Sequence, residues 1–390
     1  MKVEARSALG PWAETTLTSF EYAGLQQPRN LSDGHAYHEM PDGLGGVIDE
    51  LPRWWSEAGR MRVPELERRL RHAWAEAASA PSLHDFGHVR MCPTASNAID
   101  IVGAAAKELR LRVGLVEPTF DNLALLLRRR EVPLVSVPVE ELDTALAAGD
   151  VGSAVGADTI DALLVVSPNN PTGTDYDADN LRHLAEWCAE NDKVLILDNT
   201  FRFYRRTPYD DYKVLCDAGV SFIAVEDSGK TWPTLDTKVS PLVCSPSLSS
   251  LVNTLYEEVY LCTSGFSLVL MSELLDRTVK QGFGPVVWDM IDRRRSRLRN
   301  ALGEGALTIP AEAADSTISV EWIDCAQTGM TGLQLAAHLR THYGLHLLPG
   351  ESFFWSGDGG HDRLRASLCR PDEQFNDAVE ALAAAIGDLT

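Results

Sequence analysis

A two-domain α/β protein built on a mainly parallel sheet is what this sequence predicts, and three observations predict it. Its 390 residues exceed the size at which one hydrophobic core stops growing. Short β-branched runs alternate with helical patterns from about residue 90 to residue 230, the rhythm of βαβ units. After about residue 285 that rhythm stops. In order, VGLVEP, PLVSVPV, ALLVVSP, KVLILD and SFIAVED read as strands. Between ALLVVSP and KVLILD, DADNLRHLAEWCAEND puts Leu181, Leu184, Trp187 and Cys188 on one face, as a crossover helix requires. The charged helix DRRRSRLRNAL opens the second region, with a strand candidate in STISVEWI and a Pro-Gly turn in LLPGESFFW. An amphipathic ending turns Phe375, Val379, Leu382 and Ile386 inward. The expected division is an N-terminal arm over 1–60, a large domain over 61–284 and a smaller α+β domain over 285–390.

Composition narrows the function classes. The chain is 45% hydrophobic and 23% charged, an ordinary globular balance. A net charge of −21 opposes binding to a phosphate backbone, so nucleic acid is set aside and Arg128, Arg129 and Arg130 read as a solvated helix face. No apolar run is long enough to span a bilayer, and the first twenty residues lack a signal-peptide core, so no membrane partner and a cytoplasmic location are expected. The seven cysteines are scattered singly, most of them as small core residues.

In sheets of this kind ligands gather at the carboxyl ends of the strands. There one strand runs into SPNNPTG, another ends at Asp198 before NTFRFY, and a third ends at Glu226 and Asp227 before Lys230. Alone, Lys230 reads as a surface lysine in a loop. Its companions suggest that it holds an aldehyde cofactor as a Schiff base. Pyridoxal 5′-phosphate needs a carboxylate at its ring nitrogen, for which Asp198 is placed, and a donor at its ring hydroxyl, which Asn170 can supply. Its phosphate needs a helix start with hydroxyls, offered by Thr94, Ala95 and Ser96, and its ring face an aromatic such as Phe120.

NNPTG, the strand-end aspartate, the small-residue segment before Lys230 and RLRASL stand in the order in which this chain resembles the fold-type I, aspartate-aminotransferase-like pyridoxal-phosphate enzymes over nearly its whole length. The resemblance implies that fold, with its large domain, smaller domain and arm, and a homodimer. It implies that Lys230 carries the cofactor and that Arg365 pairs with the substrate's α-carboxylate, a match a guanidinium fork suits. Departures from the superfamily pattern are as informative. Phe201 stands where a tyrosine usually donates to the cofactor hydroxyl, Asp227 where a phosphate-binding serine is usual, and Lys238 where an arginine is usual. A carboxylate beside a phosphate is repulsive, so Asp227 is expected to face substrate, with Ser228 taking the phosphate.

LTSFEY, SDGHA, PTFDN, SPNNPTG, the Asp-Asn-Thr-Phe-Arg run and EDSGKTWPTLD resemble a smaller group, the oxygen-using arginine oxidases and hydroxylases of natural-product pathways such as that to enduracididine. The resemblance makes Thr18, Glu21, Asp33, Asp227 and Asn170 candidates for binding a cationic amino acid, with His35 near the reacting carbons and Thr200 beside the cofactor. It implies dioxygen as co-substrate and a 2-oxo acid, with or without a 4-hydroxyl, as product. A conventional aminotransferase, a cyclase of a hydroxyarginine and a non-catalytic relative are the other readings. SDGHAYHEM also gathers His35, His38 and Glu39, but without a second ligand cluster, and no metal is expected. Thr18 and Glu21 share one face of a short helix in TLTSFEYAGL, expected to close over the pocket, whereas Phe20 and Tyr22 could pin an inert arm.

Overall fold

The alternation of strands and helices builds a seven-stranded sheet in the computed structural model, which describes residues 16–84, 86–303, 305–357 and 359–389. The expected arm therefore lies partly outside the described residues. In chain order the strands are β1 (Arg29–Asn30), β2 (Val89–Cys92), β3 (Val113–Glu117), β4 (Leu134–Pro138), β5 (Ala162–Val166), β6 (Val194–Asn199), β7 (Ser221–Glu226), β8 (Ser240–Cys244), β9 (Val320–Asp324), β10 (Leu345–His346), β11 (Leu348–Pro349) and β12 (Arg363–Ser367). The large sheet has the order β2-β8-β7-β6-β5-β3-β4. From β7 to β4 every pairing is parallel, and β8 alone runs antiparallel to β2 and β7. The α/β class with a mainly parallel sheet is thus what forms.

All five predicted strands are present. β2 and β8 were not foreseen, because SPLVC carries a proline, which argues against a central strand; Pro241 nonetheless sits opposite Met91. β3 and β5 are buried at every position, since helices cover both faces of the sheet. The crossover helix Ala178–Glu190 buries Leu181, Leu184 and Cys188 as expected, whereas Trp187 is only half-buried.

Beyond the large sheet, β11, β12 and β9 form a small antiparallel sheet, with β12 in the middle. The strand expected in STISVEWI begins only at Val320. The stripe of Phe375, Val379, Leu382 and Ile386 on the helix Asp372–Leu389 is buried.

Near the N-terminus, Thr16 caps a helix, α1 (Leu17–Gly24), through a capping box with Ser19. Leu17 and Phe20 enter an apolar cluster with Trp322, Leu348 and Phe353, while Tyr22 stays 54% exposed, so of the two aromatics it is Phe20 that joins the cluster. The helix ends where β1 pairs in parallel with β10. A Cβ at Gly24 would lie 2.2 Å from the Ser32 hydroxyl, so only glycine lets α1 sit this close to the ribbon. Among the described residues no helix is long and apolar enough to cross a membrane.

Candidate active site

Each parallel strand leaves its last residues on the same rim, and there a cavity opens. β6 delivers Asp198 and Thr200, β7 delivers Asp227 and Lys230, the loop after β5 brings Asn170, and the loop after β3 brings Phe120. The helix Ala95–Glu108 aims its N-terminus inward with Thr94, Ala95 and Ser96, while α1 contributes Thr18 and Glu21 from one face. His35 and Lys238 complete the wall.

Asp198 is buried and its carboxylate accepts from the Thr200 backbone N–H at 2.9 Å and from the Thr200 hydroxyl. Burial pushes this carboxyl above its ordinary range and the nearby Asp227 adds to the effect, while Thr200 and Lys230 oppose it. A buried acid whose hydrogen-bond partners among the described residues are the neutral groups of Thr200 calls for a cationic partner, which a protonated ring nitrogen would provide. Asn170 keeps a buried side-chain oxygen without a partner among the described residues.

His35 is held from two sides. Its Nδ1 lies 2.6 Å from Asp33 and its Nε2 lies 2.8 Å from the Lys238 amine. Burial pushes the Asp33 carboxyl up, but His35, Arg370 and Lys230 outweigh it and hold the acid well below the usual carboxylate range. Asp33 also pairs with Arg370 at 3.2 Å. It is therefore a support for His35 and is not among the residues on the cavity wall, contrary to its expected place against substrate. Its charge is already used by two internal partners.

Ser228 is also placed otherwise than expected. Its hydroxyl donates to the Val239 carbonyl and accepts from the Val239 N–H, both at 3.0 Å, so strand geometry consumes it away from the cavity. Asp227 does line the cavity, with one carboxylate oxygen accepting from the Gly229 N–H at 3.0 Å. His35, His38 and Glu39 diverge: His38 bonds the Glu39 carbonyl and the Glu39 carboxylate reaches Arg294.

Arg365, in the middle strand of the small sheet, is fully buried behind Gly34. A Cβ at Gly34 would lie 2.9 Å from its Nη1 and 3.9 Å from the Lys230 amine, so glycine keeps open the gap between guanidinium and lysine. The Nη2 donates to Glu21 at 3.0 Å, whereas Nε and Nη1 have no partner among the described residues. Buried guanidinium nitrogens are rarely left so, and a carboxylate forked over Nη2 and one of these two is the group that would suit them.

Thr119, Asn122 and Phe201 also face the cavity, and the Thr119 hydroxyl is buried without a partner among the described residues. The first two lie just beyond β3, at the kind of strand end where the sequence already places ligand groups.

Next to them, Asp121 accepts from the Leu17 N–H at 2.9 Å and so fastens the start of α1. Burial and the nearby Glu21 push its carboxyl up to about 6, against the Leu17 hydrogen bond. A raised acid contributes stability that is full below its ordinary 3.8 and is lost as pH rises through about 6. Asp121→Asn, which keeps the acceptor but cannot ionise, is therefore expected to gain up to about 3 kcal/mol on the natural chain between pH 4 and pH 7.5. Denaturant titrations of both proteins at the two pH values check this, and equal differences at both would refute it.

An amine at the rim, a buried acid, a hydroxyl-bearing helix start and a buried guanidinium with two open nitrogens are together the demands of pyridoxal phosphate and an amino acid. Comparison with known proteins agrees. Residues 56–382 match the family described as aminotransferase class I and II. The structure of MppP soaked with the product 2-ketoarginine is 32% identical, covering 91% of this chain and 99% of that one with a TM-score of 0.84. YugH of Bacillus subtilis (strain 168), which carries an aminotransferase name, is 25% identical over 294 residues, 73% of this chain and 72% of that one. YbdL from Escherichia coli, a methionine aminotransferase, shares 16% identity with a TM-score of 0.77, covering 98% of this chain and 100% of that one, a likeness of fold alone. The chain is thus an enzyme-family member with the fold-type I architecture, and it belongs to the class I and II aminotransferases.

Proposed function

We propose that the chain is an oxygen-using, pyridoxal-phosphate-dependent oxidase of L-arginine or a close cationic analogue, acting in natural-product biosynthesis. The observation that carries this reading is that opposite charges gather at the cavity and immediately behind its wall. Arg365, with two partnerless nitrogens, stands beside Lys230, while Asp227 and Glu21 present carboxylates on the wall. A cationic amino acid needs both. The likeness to a chain soaked with 2-ketoarginine supports a ligand of that class.

The cofactor, when bound, supplies an electron sink that makes the substrate's α-proton acidic. Lys230 would hold it, Asp198 with Thr200 would meet its ring nitrogen, Asn170 its hydroxyl, Phe120 its ring, and Thr94, Ala95, Ser96 and Lys238 its phosphate. His35 carries its proton at Nδ1, because the ionised Asp33 can only accept there. Its Nε2, which now accepts from Lys238, is the atom free to take up a proton when that amine turns to a phosphate. Arginine, dioxygen and water would give the 2-oxo acid, ammonia and hydrogen peroxide. Hydroxylation at C4 would consume a second dioxygen and a second water and release a second peroxide.

The family name favours a second reading, ordinary transamination. Arginine supplied without any keto acid separates the two in an oxygen electrode. Sustained uptake over many turnovers, with the 2-oxo acid found by mass spectrometry, is the expected result; a reaction that stops after one half-turnover would replace the oxidase with an aminotransferase. The same reading takes the enzyme as a homodimer, and sedimentation of a fully active monomer at micromolar concentration would contradict that.

A further inference from the structure

We infer that Glu21 is the resident occupant of the carboxylate site at Arg365, and that a substrate gains this site only by giving Glu21 a cation in exchange. The inference rests on the reading of Arg365 as the carboxylate site and goes on to say how the site chooses its ligand. One oxygen of Glu21 accepts from Arg365 Nη2 at 3.0 Å and lies 3.4 Å from the Gly34 N–H. A guanidinium and a backbone N–H are what a substrate carboxylate would seek, and the cavity-side neighbour across Gly34 is the Lys230 amine. Glu21 thus stands where that carboxylate belongs, because either two-pronged approach to a guanidinium, over Nη1 and Nη2 or over Nε and Nη2, uses the nitrogen that Glu21 holds. It arrives there from α1, hundreds of residues away in sequence, carried by the seating of Leu17 and Phe20.

The surroundings determine what exchange requires. Arg365 is 0% exposed and Glu21 8%, so neither charge can be left to water. A ligand carboxylate that takes Arg365 strands Glu21 as a buried charge, which is strongly unfavourable unless another cation meets it. Of the nearby cations, Lys238 is engaged with His35 and Asp236 and Arg370 with Asp33, while the Lys230 amine is the group that would hold the cofactor. Thr18 and Glu21 face the cavity together, so a side-chain rotation of Glu21 toward the cavity needs no undocking of α1. An amino acid with a cationic end replaces one buried ion pair by two. One with a neutral end replaces a pair by a pair and a stranded carboxylate. Selectivity for cationic substrates would then come from releasing Glu21 as much as from attracting the cation.

Two ligands without an α-amine, pentanoate and 5-guanidinopentanoate, test this by calorimetry on the cofactor-loaded enzyme, since neither can react. In Glu21→Gln, which keeps size and helix but removes the charge, pentanoate is expected to bind about tenfold tighter because its competitor is weakened. 5-Guanidinopentanoate is expected to bind at least about tenfold weaker because its cation loses its partner. The cofactor absorbance of the variant reports that the cavity is intact. Opposite signs support the exchange; equal weakening of both ligands, or no change in either, overturns it by making Glu21 a mere anchor or a bystander. Because no turnover is involved, failure here leaves the oxygen-uptake result standing, and failure of that result leaves this one readable.

Discussion

Lys230→Ala is expected to yield a folded protein without the visible absorbance of a lysine-bound cofactor and with turnover lowered at least about 10⁴-fold. The size of the effect follows from the geometry. Two lysine amines line the cavity, but Lys238 is tied to His35 at 2.8 Å and lies 3.4 Å from Asp236, and it sits at the wall where the phosphate would be. Lys230 points into the cavity from the loop after β7, with its backbone carbonyl fixed by the Tyr204 hydroxyl at 2.6 Å. That fixation belongs to the main chain and survives the substitution, so the melting temperature should change little. An absorbance scan after reconstitution, together with an oxygen electrode, measures both effects. Retention of a lysine-type spectrum with only a few-fold loss of rate would move the cofactor's amine to Lys238 and dismantle the assignment.

Arg365→Met is expected to combine two large losses. Removing one partner of a buried pair leaves Glu21 charged and uncompensated, which costs about 3–5 kcal/mol of stability when the survivor stays buried. The substrate also loses its carboxylate partner, so kcat/KM for arginine should fall about 10³-fold, mostly through KM. The double variant Arg365→Met with Glu21→Gln separates these effects. Both charges are then gone, and a double-mutant cycle should return most of the lost stability while catalysis stays low. Denaturant midpoints and steady-state kinetics on the four proteins are the measurements. Stability that is not recovered would mean that Arg365 holds the fold through its bond to the Ser32 carbonyl and not through Glu21.

The order of chemistry along the rim was legible in the sequence because each βα unit places the residue after its strand on the same edge. Asn170, Asp198, Asp227 and Lys230 are each local to a strand end, so finding the strands was enough to bring them together. The same locality revealed the helix that carries Thr18 and Glu21, since spacing along α1 alone puts them on one face.

What only the tertiary structure decided is which of the polar groups are free. Asp33, Ser228 and Glu21 looked alike in sequence as available ligands. The fold spends Asp33 on His35 and Arg370, spends Ser228 on the Val239 backbone, and sets Glu21 against Arg365. β8 escaped notice for a related reason, because pairing partners on both sides outweigh the preference that Pro241 expresses by itself. Residue type and spacing fix what a side chain can do, but a buried charge or hydroxyl must take the nearest complementary group, and that group is supplied by segments far away in the chain.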